Sequence, residues 1–531
     1  MILKDSIKKE IFSNKFILFI VFMFSVIISV CTVITPYLFG QFIDNIMNLK
    51  DNHVIYKYVI ILSVVLLVKI FINFFNTMIT TKLQWKITFN LNKLIVEHIQ
   101  DSEYKYLSNM DLTYLNQRIC NDCSEVTQFY IASILNLVLN VFILLFSLYI
   151  IYTTNIWFLF ICVTILIINT FIYLTTRKGL SIRILKFKES SNKIFSSFME
   201  QVRNLKQIKI NSIQDSFIKR LYPKYEDTKN NLLSYTKFSY VISAFSTTFN
   251  TAFNILVILI GGFLIIAKKL TFGGLTILNN YFNYTYSSVD YFLNFSKTYE
   301  SYKVCFKRLR EISEIPLEEN SERIIDHIDK IEIKDLNFSY ANKILYDENK
   351  SFLFEKNNIY LIKGENGSGK STFIDLLIGI YSPSLGSIQY NDIDINSLNK
   401  RNLRYNLISY ATQDAFIFDD TLNNNITFDS VFPIKNEDIS ELISTERFKE
   451  DYILSSNKLS GGEKQRISLF RTLNKNSDLL IMDEPSNSLD KQSICFIKEY
   501  LIKIRENKII LLISHDKEFD DITDEKNKIY F

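Results

Sequence analysis

The stretch that most restricts what this chain can fold into is Leu361 to Thr372, which reads LIKGENGSGKST. An apolar, β-type run (Ile359, Tyr360, Leu361, Ile362) leads into Gly364. After four intervening residues come Gly369, Lys370 and Ser371, and an apolar helical run (Phe373, Ile374, Leu376, Leu377, Ile378) follows. Strand, glycine loop and helix in that order are the setting of a phosphate-binding loop. Nucleotide phosphates crowd the main chain, so glycines stand where a side chain would keep N–H groups from pointing at phosphate oxygens. Lys370 can then reach the β- and γ-phosphates, and Ser371 can offer its hydroxyl to Mg2+.

That loop occupies only part of a chain of 531 residues, too long for one domain. Hydrophobic residues make up 48%, and they crowd into the first 300 positions, while the remainder reads as an ordinary α/β protein. The net charge of +4 gives no global pull toward nucleic acid. The four histidines leave little room for a metal centre, and the CxxC at Cys120 and Cys123 has no second ligand pair nearby, so the cysteines read as reduced thiols.

From the N-terminus, Met1 to Lys15 suits an amphipathic helix at a membrane surface. Phe16 to Ile43 then runs without a formal charge, too long for a signal-peptide core and long enough to cross hydrocarbon. Further apolar segments lie at 58–80, 131–152, 156–175, 240–267 and, more weakly, 275–295, giving six expected spans. The segment between the second and third spans carries Lys82, Lys86, Lys93, Lys105 and Arg118, and that between the fourth and fifth carries fourteen Lys and Arg; the opposite loops are short. The basic excess assigns both long segments, and hence both termini, to the cytosol. Helical periodicity persists through these segments, so the spans are expected to continue as rods that turn round near 106–113 and 204–211.

The sixth span is polar for a lipid-facing helix: Asn279, Asn280, Tyr281, Asn283, Tyr284, Thr285, Tyr286, Ser287, Asp290 and Tyr291 lie within it. It is expected to line a water-filled cavity, the alternative being that its polar face bonds to neighbouring helices. The domain expectation is therefore an all-α membrane domain over 1–310, a connector over 311–330 and an α/β phosphate-loop domain over 331–531.

Downstream, Leu479 to Pro485 reads LLIMDEP, a buried strand ending in two acids. Asp483 suits holding Mg2+ and Glu484 suits polarising an attacking water. A further strand, Ile509 to Ile513, ends in Ser514 and His515. Between Gln413 and Asp483 stands Leu459 to Arg466, LSGGEKQR, whose serine and glycine amides would form a second anion site near a helix start around Glu463.

This ordered set resembles the nucleotide-binding domain of the ATP-binding cassette (ABC) family, of which LSGG is the signature, and the six spans resemble that family's exporter-type membrane domain. The resemblance implies that Tyr340 stacks on adenine and that Gly364, Glu365, Asn366, Gly367, Ser368, Gly369, Lys370, Ser371 and Thr372 bind the phosphates of ATP. It implies that Gln413 senses Mg2+ beside Ser371 and Asp483, that Glu484 is the general base, and that His515 holds the γ-phosphate and the water. Ser460, Gly461 and Gly462 would contact the γ-phosphate held by a partner subunit, and Asp490 would lie in a dimer-contact loop. One chain carries one loop and one signature, so the resemblance implies a dimer of half-transporters, with a second copy or a paralogue as partner.

Only about 45 residues separate Gln413 from the signature, with an Asn-rich run and no glycine, so the glycine-containing loop usual before the signature is replaced by Tyr452 to Lys458. The first span begins at about residue 16, which leaves no room for an appended protease domain ahead of it. Together these features imply ATP-driven export of a peptide, natural product, lipid or drug. The rival readings are an importer built on the exporter fold, as in some siderophore systems, and a non-transporting ABC ATPase that acts as a regulator.

Overall fold

The computed structural model describes residues 7, 9–10, 12–48, 52–108, 110–154, 156–340, 343–365, 367–434, 453–455, 458–515 and 517–531. The chain divides into two compact units, Met1–Ser102 with Asn109–Pro316 and Glu103–Ser108 with Leu317–Phe531.

The first unit is helical. Its principal elements are α1 (Lys15–Met47) and α2 (Asn52–Gln100). After the short α3 (Tyr104–Leu107), which groups with the second unit, come α4 (Leu112–Gln117), α5 (Cys123–Gln128) and α6 (Ile134–Thr154), separated by π-helical turns at Arg118–Asp122 and Phe129–Ser133. Then follow α7 (Ile156–Arg203), α8 (Leu205–Ile210), α9 (Gln214–Ile266) and α10 (Phe272–Ser313). A helix satisfies every backbone polar group within itself, which is what hydrocarbon demands. The turn-rounds expected near 106–113 and 204–211 fall at the short helices α3 and α8.

Among the described residues four helices are long and apolar enough to cross a membrane, or five when the bent pair within α7 is taken as one span. The sixth, α10, falls short of that test because of its polar residues, and the structure shows what several of them do. The Tyr281 hydroxyl donates to Val33 O on α1, Tyr291 donates to Ser133 O, and Asn254 Nδ2 on α9 donates to Asn283 Oδ1 at 3.2 Å. Within one copy, then, part of this face bonds to neighbouring helices, the alternative set out above.

Packing follows from small residues. On α1 six of the eight buried positions, Val21, Ser25, Ser29, Val33, Pro36 and Gly40, fall on one stripe at spacings of four and three. Where Gly40 meets Gly273, α1 and α10 approach backbone to backbone. An apolar cluster drawn from α1, α6, α7, α9 and α10 (among others Val33, Ile151, Phe158, Val257 and Tyr281) forms the core. Beyond it, three ion pairs join the rods: Arg118 to Glu311 at 3.0 Å, Arg308 to Asp122 at 3.1 Å and Lys188 to Glu125 at 2.7 Å.

In the second unit, an antiparallel sheet of order β2-β1-β4-β5 comprises β1 (Lys330–Tyr340), β2 (Lys343–Glu355), β4 (Leu385–Tyr390) and β5 (Ile393–Asp394). A parallel sheet of order β6-β7-β8-β3-β9 comprises β3 (Asn358–Lys363), β6 (Ile408–Ala411), β7 (Leu479–Asp483), β8 (Ile509–Ile513) and β9 (Lys528–Tyr530). Strand β6 begins at Ile408, because Leu403–Leu407 closes a π-helical turn just before it. Strands β7 and β8 are buried along their whole length, as a central parallel sheet requires. Helices α11 (Lys370–Leu377), α12 (Gly461–Asn474) and α13 (Lys491–Ile504) cover it.

Candidate nucleotide site

Parallel strands deliver their C-terminal ends to one edge, where ligands of open α/β sheets bind. Here β3 ends at the phosphate loop, β7 at Asp483 and Glu484, and β8 at Ser514 and His515. Gly367, Gly369, Lys370, Ser371, Thr372, Gln413, Asp483, Glu484 and His515 line a single cleft of about 270 Å³. The structure thus brings together residues that the sequence spreads over about 150 positions.

The loop geometry explains its spelling. Gly369, at φ +100°, is the residue from which α11 starts, and Gly367 has φ +83°, both in the region that side chains avoid. A Cβ on Gly364 would lie 2.8 Å from both Ser368 Oγ and Phe531 O. The Glu365 carbonyl accepts from the Ser368 N–H at 3.2 Å, and the buried Ser368 hydroxyl has no partner among the described residues. Asn366 and the side chain of Tyr340, at the end of β1, lie outside the described residues.

Lys370 is buried and curls back over the loop, its ammonium donating to Gly364 O at 2.8 Å and Glu365 O at 3.0 Å. It also lies 3.2 Å from His515 Nε2, which in turn is 3.3 Å from Glu484 Oε1. A single imidazole nitrogen cannot both accept from a lysine and donate to a carboxylate, so His515 has to favour one neighbour in each protonation state.

Glu484 stands on strained backbone. Its φ of +50° places a non-glycine residue in the left-handed region while its N–H donates to Ile513 O at 2.9 Å. Nothing in the text LLIMDEP announces that turn.

Ser371 Oγ faces Asp483 Oδ2 at 3.4 Å. Burial pushes the Asp483 carboxyl up from its usual range, opposed by the Ser371 hydrogen bond and the Lys370 charge. Sequence reading missed its neighbour Asp375 on α11, pushed up to about 6 by burial and then by the charge of Asp483. The buried Asp483 carboxylate and the Ser371 hydroxyl beside it, both lining the cleft, are hard oxygens of the kind that suits Mg2+.

The signature turn is built separately. Ser460 is the N-cap of α12, so the helix starts at Gly461 and not near Glu463 as the sequence suggests. Its Oγ accepts from Glu463 N–H at 3.3 Å, and Glu463 Oε2 accepts from Ser460 N–H at 2.7 Å, closing a capping box. Both glycines are pressed onto the loop that follows Glu484: a Cβ would lie 3.2 Å from Ser488 Oγ at Gly461 and 2.5 Å from Ser488 O at Gly462. Arg466 donates to Asp490 Oδ1 at 3.0 Å, fixing the same loop to α12.

Comparison with known proteins decides what these two halves are. Residues 18–289 match the family model of the ABC transporter transmembrane region, and residues 348–487 match the family model described as ABC transporter. The chain belongs to the ABC transporter family. This ABC transporter is accordingly an integral membrane protein that binds ATP. It is similar to the sublancin-168-processing and transport ATP-binding protein SunT of Bacillus subtilis (strain 168), at 23% identity over 96% of this chain and 73% of that one. It is also similar to the lactococcin-G-processing and transport ATP-binding protein LagD of Lactococcus lactis subsp. lactis, at 27% identity over 60% of this chain. That match spans 48% of LagD, so the transporter covers about half of that relative. Its fold is that of a bacterial Atm1-family ABC exporter solved with ATP bound, at a TM-score of 0.84 and 14% identity over 97% of this chain and 94% of that one.

Proposed function

We propose that two copies of this ABC transporter assemble and use ATP hydrolysis to export an amphipathic cargo, a peptide before other natural products, lipids or drugs, across a bacterial cell membrane. Both termini and the ATPase unit face the cytosol in this reading, on the strength of the basic segments between the spans. The observation that carries the dimer is the composition of the cleft. Among the described residues that line it, none comes from Ser460–Gly462, so the signature of the same copy does not complete the site. A second copy can supply it, and ATP then joins two cassettes because its charge needs donors from both.

In this reading Glu484 polarises the water, His515 and Lys370 hold the γ-phosphate, and Ser371, Gln413 and Asp483 hold Mg2+, which neutralises phosphate charge when bound. Lys370 exchanges the loop carbonyls it now holds for phosphate oxygens. Closure of the cassettes is a ligand-biased, two-state event of the kind alternating access needs. Peptide cargo is supported by relatives whose names couple processing and transport of lactococcin G and sublancin 168.

The test uses inside-out vesicles and a panel of labelled peptides, lipids and dyes. ATP-driven accumulation of a peptide inside them, absent with Glu484→Gln, is the expected result. Accumulation in right-side-out vesicles instead would mean import, and ATPase activity indifferent to every cargo would mean a regulator.

A further inference from the structure

The two arms of the phosphate loop are tied together by a residue that the sequence places far from it. Strand β9 pairs with β3 in parallel, Ile529 beside Ile362 and Tyr530 beside Lys363, and the Phe531 N–H then donates to Lys363 O at 2.8 Å. This carries the Phe531 backbone to the first glycine of the loop: a Cβ on Gly364 would lie 2.8 Å from Phe531 O and 3.1 Å from Phe531 Cβ. The ring of Phe531 reaches the other arm. Its centroid lies 4.9 Å from that of Phe373, which is fully buried on the first turn of α11, and 5.5 Å from that of Phe352 on β2, the latter pair stacked at 23°. Phe352 and Phe373 close the triangle edge to face at 5.5 Å, and the Lys350 ammonium lies over the Phe531 ring, 4.7 Å from its centroid.

We infer that Phe531 is a positioning residue for nucleotide binding: with one backbone edge and one ring it fixes the spacing between Gly364, where the loop opens, and α11, where it closes. The inference rests on the reading of Gly364–Thr372 as the phosphate loop. Glycines leave the loop backbone free to take many shapes, so contacts from outside have to select one. Lys370 supplies one such tie by holding Gly364 O and Glu365 O, and in the proposed mechanism it gives both up for phosphate oxygens. The Phe531 contacts use no group that a phosphate needs, so they persist through that exchange. The loop amides they align would meet phosphates that ATP and ADP share. What Phe531 contributes is then equal in the bound substrate and in the transition state, and such uniform binding appears in KM and not in kcat.

The test compares Phe531→Ala with Phe354→Ala in the full-length transporter, purified in detergent. Phe354 is fully buried in the same core and packs on Tyr360 and Phe373, but the atoms nearest a Cβ on Gly364 belong to Phe531 and Ser368. Both variants lose a packed ring and are expected to melt at lower temperature. Only Phe531→Ala is expected to raise the KM for ATP, by about tenfold, with kcat within about twofold of wild type. Equilibrium binding of ADP should weaken by the same factor. Phe531→Tyr, which keeps the ring, should restore both values. Phe531→Leu carries the test if the alanine variant does not reach the membrane: it keeps apolar volume without the stack or the cation contact, and its KM should rise by about threefold. A wild-type KM in the Phe531 variant that folds, or an equal rise of KM in Phe354→Ala, would overturn the inference. Lys370→Ala separates the two readings. If it loses ATP while Phe531→Ala keeps wild-type affinity, the positioning role fails alone; if Lys370→Ala binds ATP as wild type does, the phosphate-loop reading fails and the inference with it.

Discussion

The main-chain oxygen of Ser488 lies where a Cβ on Gly462 would be 2.5 Å away, so the signature turn and the loop after β7 are pressed together backbone to backbone. Ser488 itself has φ +61°, which brings that oxygen into position. Glu484, proposed to polarise the water at the ATP of its own copy, is therefore joined within four residues to the turn that would serve the ATP of the partner.

Gly462→Ala is expected to break that joint with little effect elsewhere. The methyl group has only backbone to displace, which costs about 1–3 kcal/mol locally. Nucleotide binding to isolated, monomeric cassettes should stay within about twofold of wild type, because the phosphate loop is untouched, while steady-state ATP turnover of the dimer falls by about tenfold to a hundredfold. Equilibrium binding of a fluorescent ATP analogue and a phosphate-release assay measure the two. A variant that turned over normally would show that the contact has no part in the cycle.

Glu463 gives a prediction of the opposite sign. Its carboxylate caps the signature helix where a second copy's triphosphate is proposed to dock, so it adds like charge to an anion site. Glutamine preserves the capping box while removing that charge. Glu463→Gln is expected to lower the ATP concentration for half-maximal turnover by about twofold to fivefold, the scale of one exposed charge interaction. The difference should shrink as salt rises toward 0.5 M, since exposed charges are screened. Titrating ATPase activity against ATP at two ionic strengths checks it, and an unchanged or raised requirement would remove Glu463 from the docking site.

Much of this site was legible because phosphate chemistry dictates residue types at fixed spacing. Gly369, Lys370 and Ser371, the acid pair at Asp483 and Glu484, and the order of the motifs are chemical requirements that survive in the text. The missing parts depend on three dimensions. The φ of Glu484 and the packing of Ser488 on Gly462 follow from how a strand end meets its neighbour, and Asp375 reads as one more polar helix position until β7 places Asp483 beside it. In the membrane unit, long apolar runs announced five spans, and α10 was ambiguous because its polar residues serve hydrogen bonds such as Tyr281 to Val33 that no periodicity reveals.

Asp375 yields a pH dependence. Its pKa is pushed up to about 6 in the fold, above the unfolded carboxylate value, so the folded state holds this proton more tightly. Any stability from that proton is fully present below the unfolded pKa and is lost as pH rises through about 6, where the carboxylate ionises. Above that pH an uncharged amide is the better tenant. Asp375→Asn is expected to stabilise the nucleotide-free cassette at pH 7.5 by about 1 kcal/mol, a figure discounted for partial exposure. The gain should fade between pH 6 and pH 4. Denaturant melts across that range measure it. A gain that persisted undiminished at pH 4 would assign it to something other than this carboxyl.

Arg308 and Asp122 test the rods. Both side chains are nearly closed to solvent, and burial pushes the Asp122 carboxyl up even though the Arg308 charge opposes it. The pair also secures a π-helical turn, Arg118–Asp122, of the kind that places an extra residue in a helix at an energetic cost. Replacing one partner strands a buried charge, so Arg308→Met is expected to destabilise the membrane unit by about 3–5 kcal/mol. Replacing both, as Arg308→Met with Asp122→Leu, removes the stranded charge and should recover most of that loss. If the pair is only an anchor, the double variant transports as well as it folds. If the π-turn must shift during the cycle, the double variant regains thermal stability in detergent while cargo-stimulated ATPase activity stays low, because a methionine–leucine contact no longer sets the register of the turn. Scanning calorimetry and ATPase assays on the same two preparations separate these outcomes, and a single variant as stable as wild type would show that the ion pair contributes nothing to the fold.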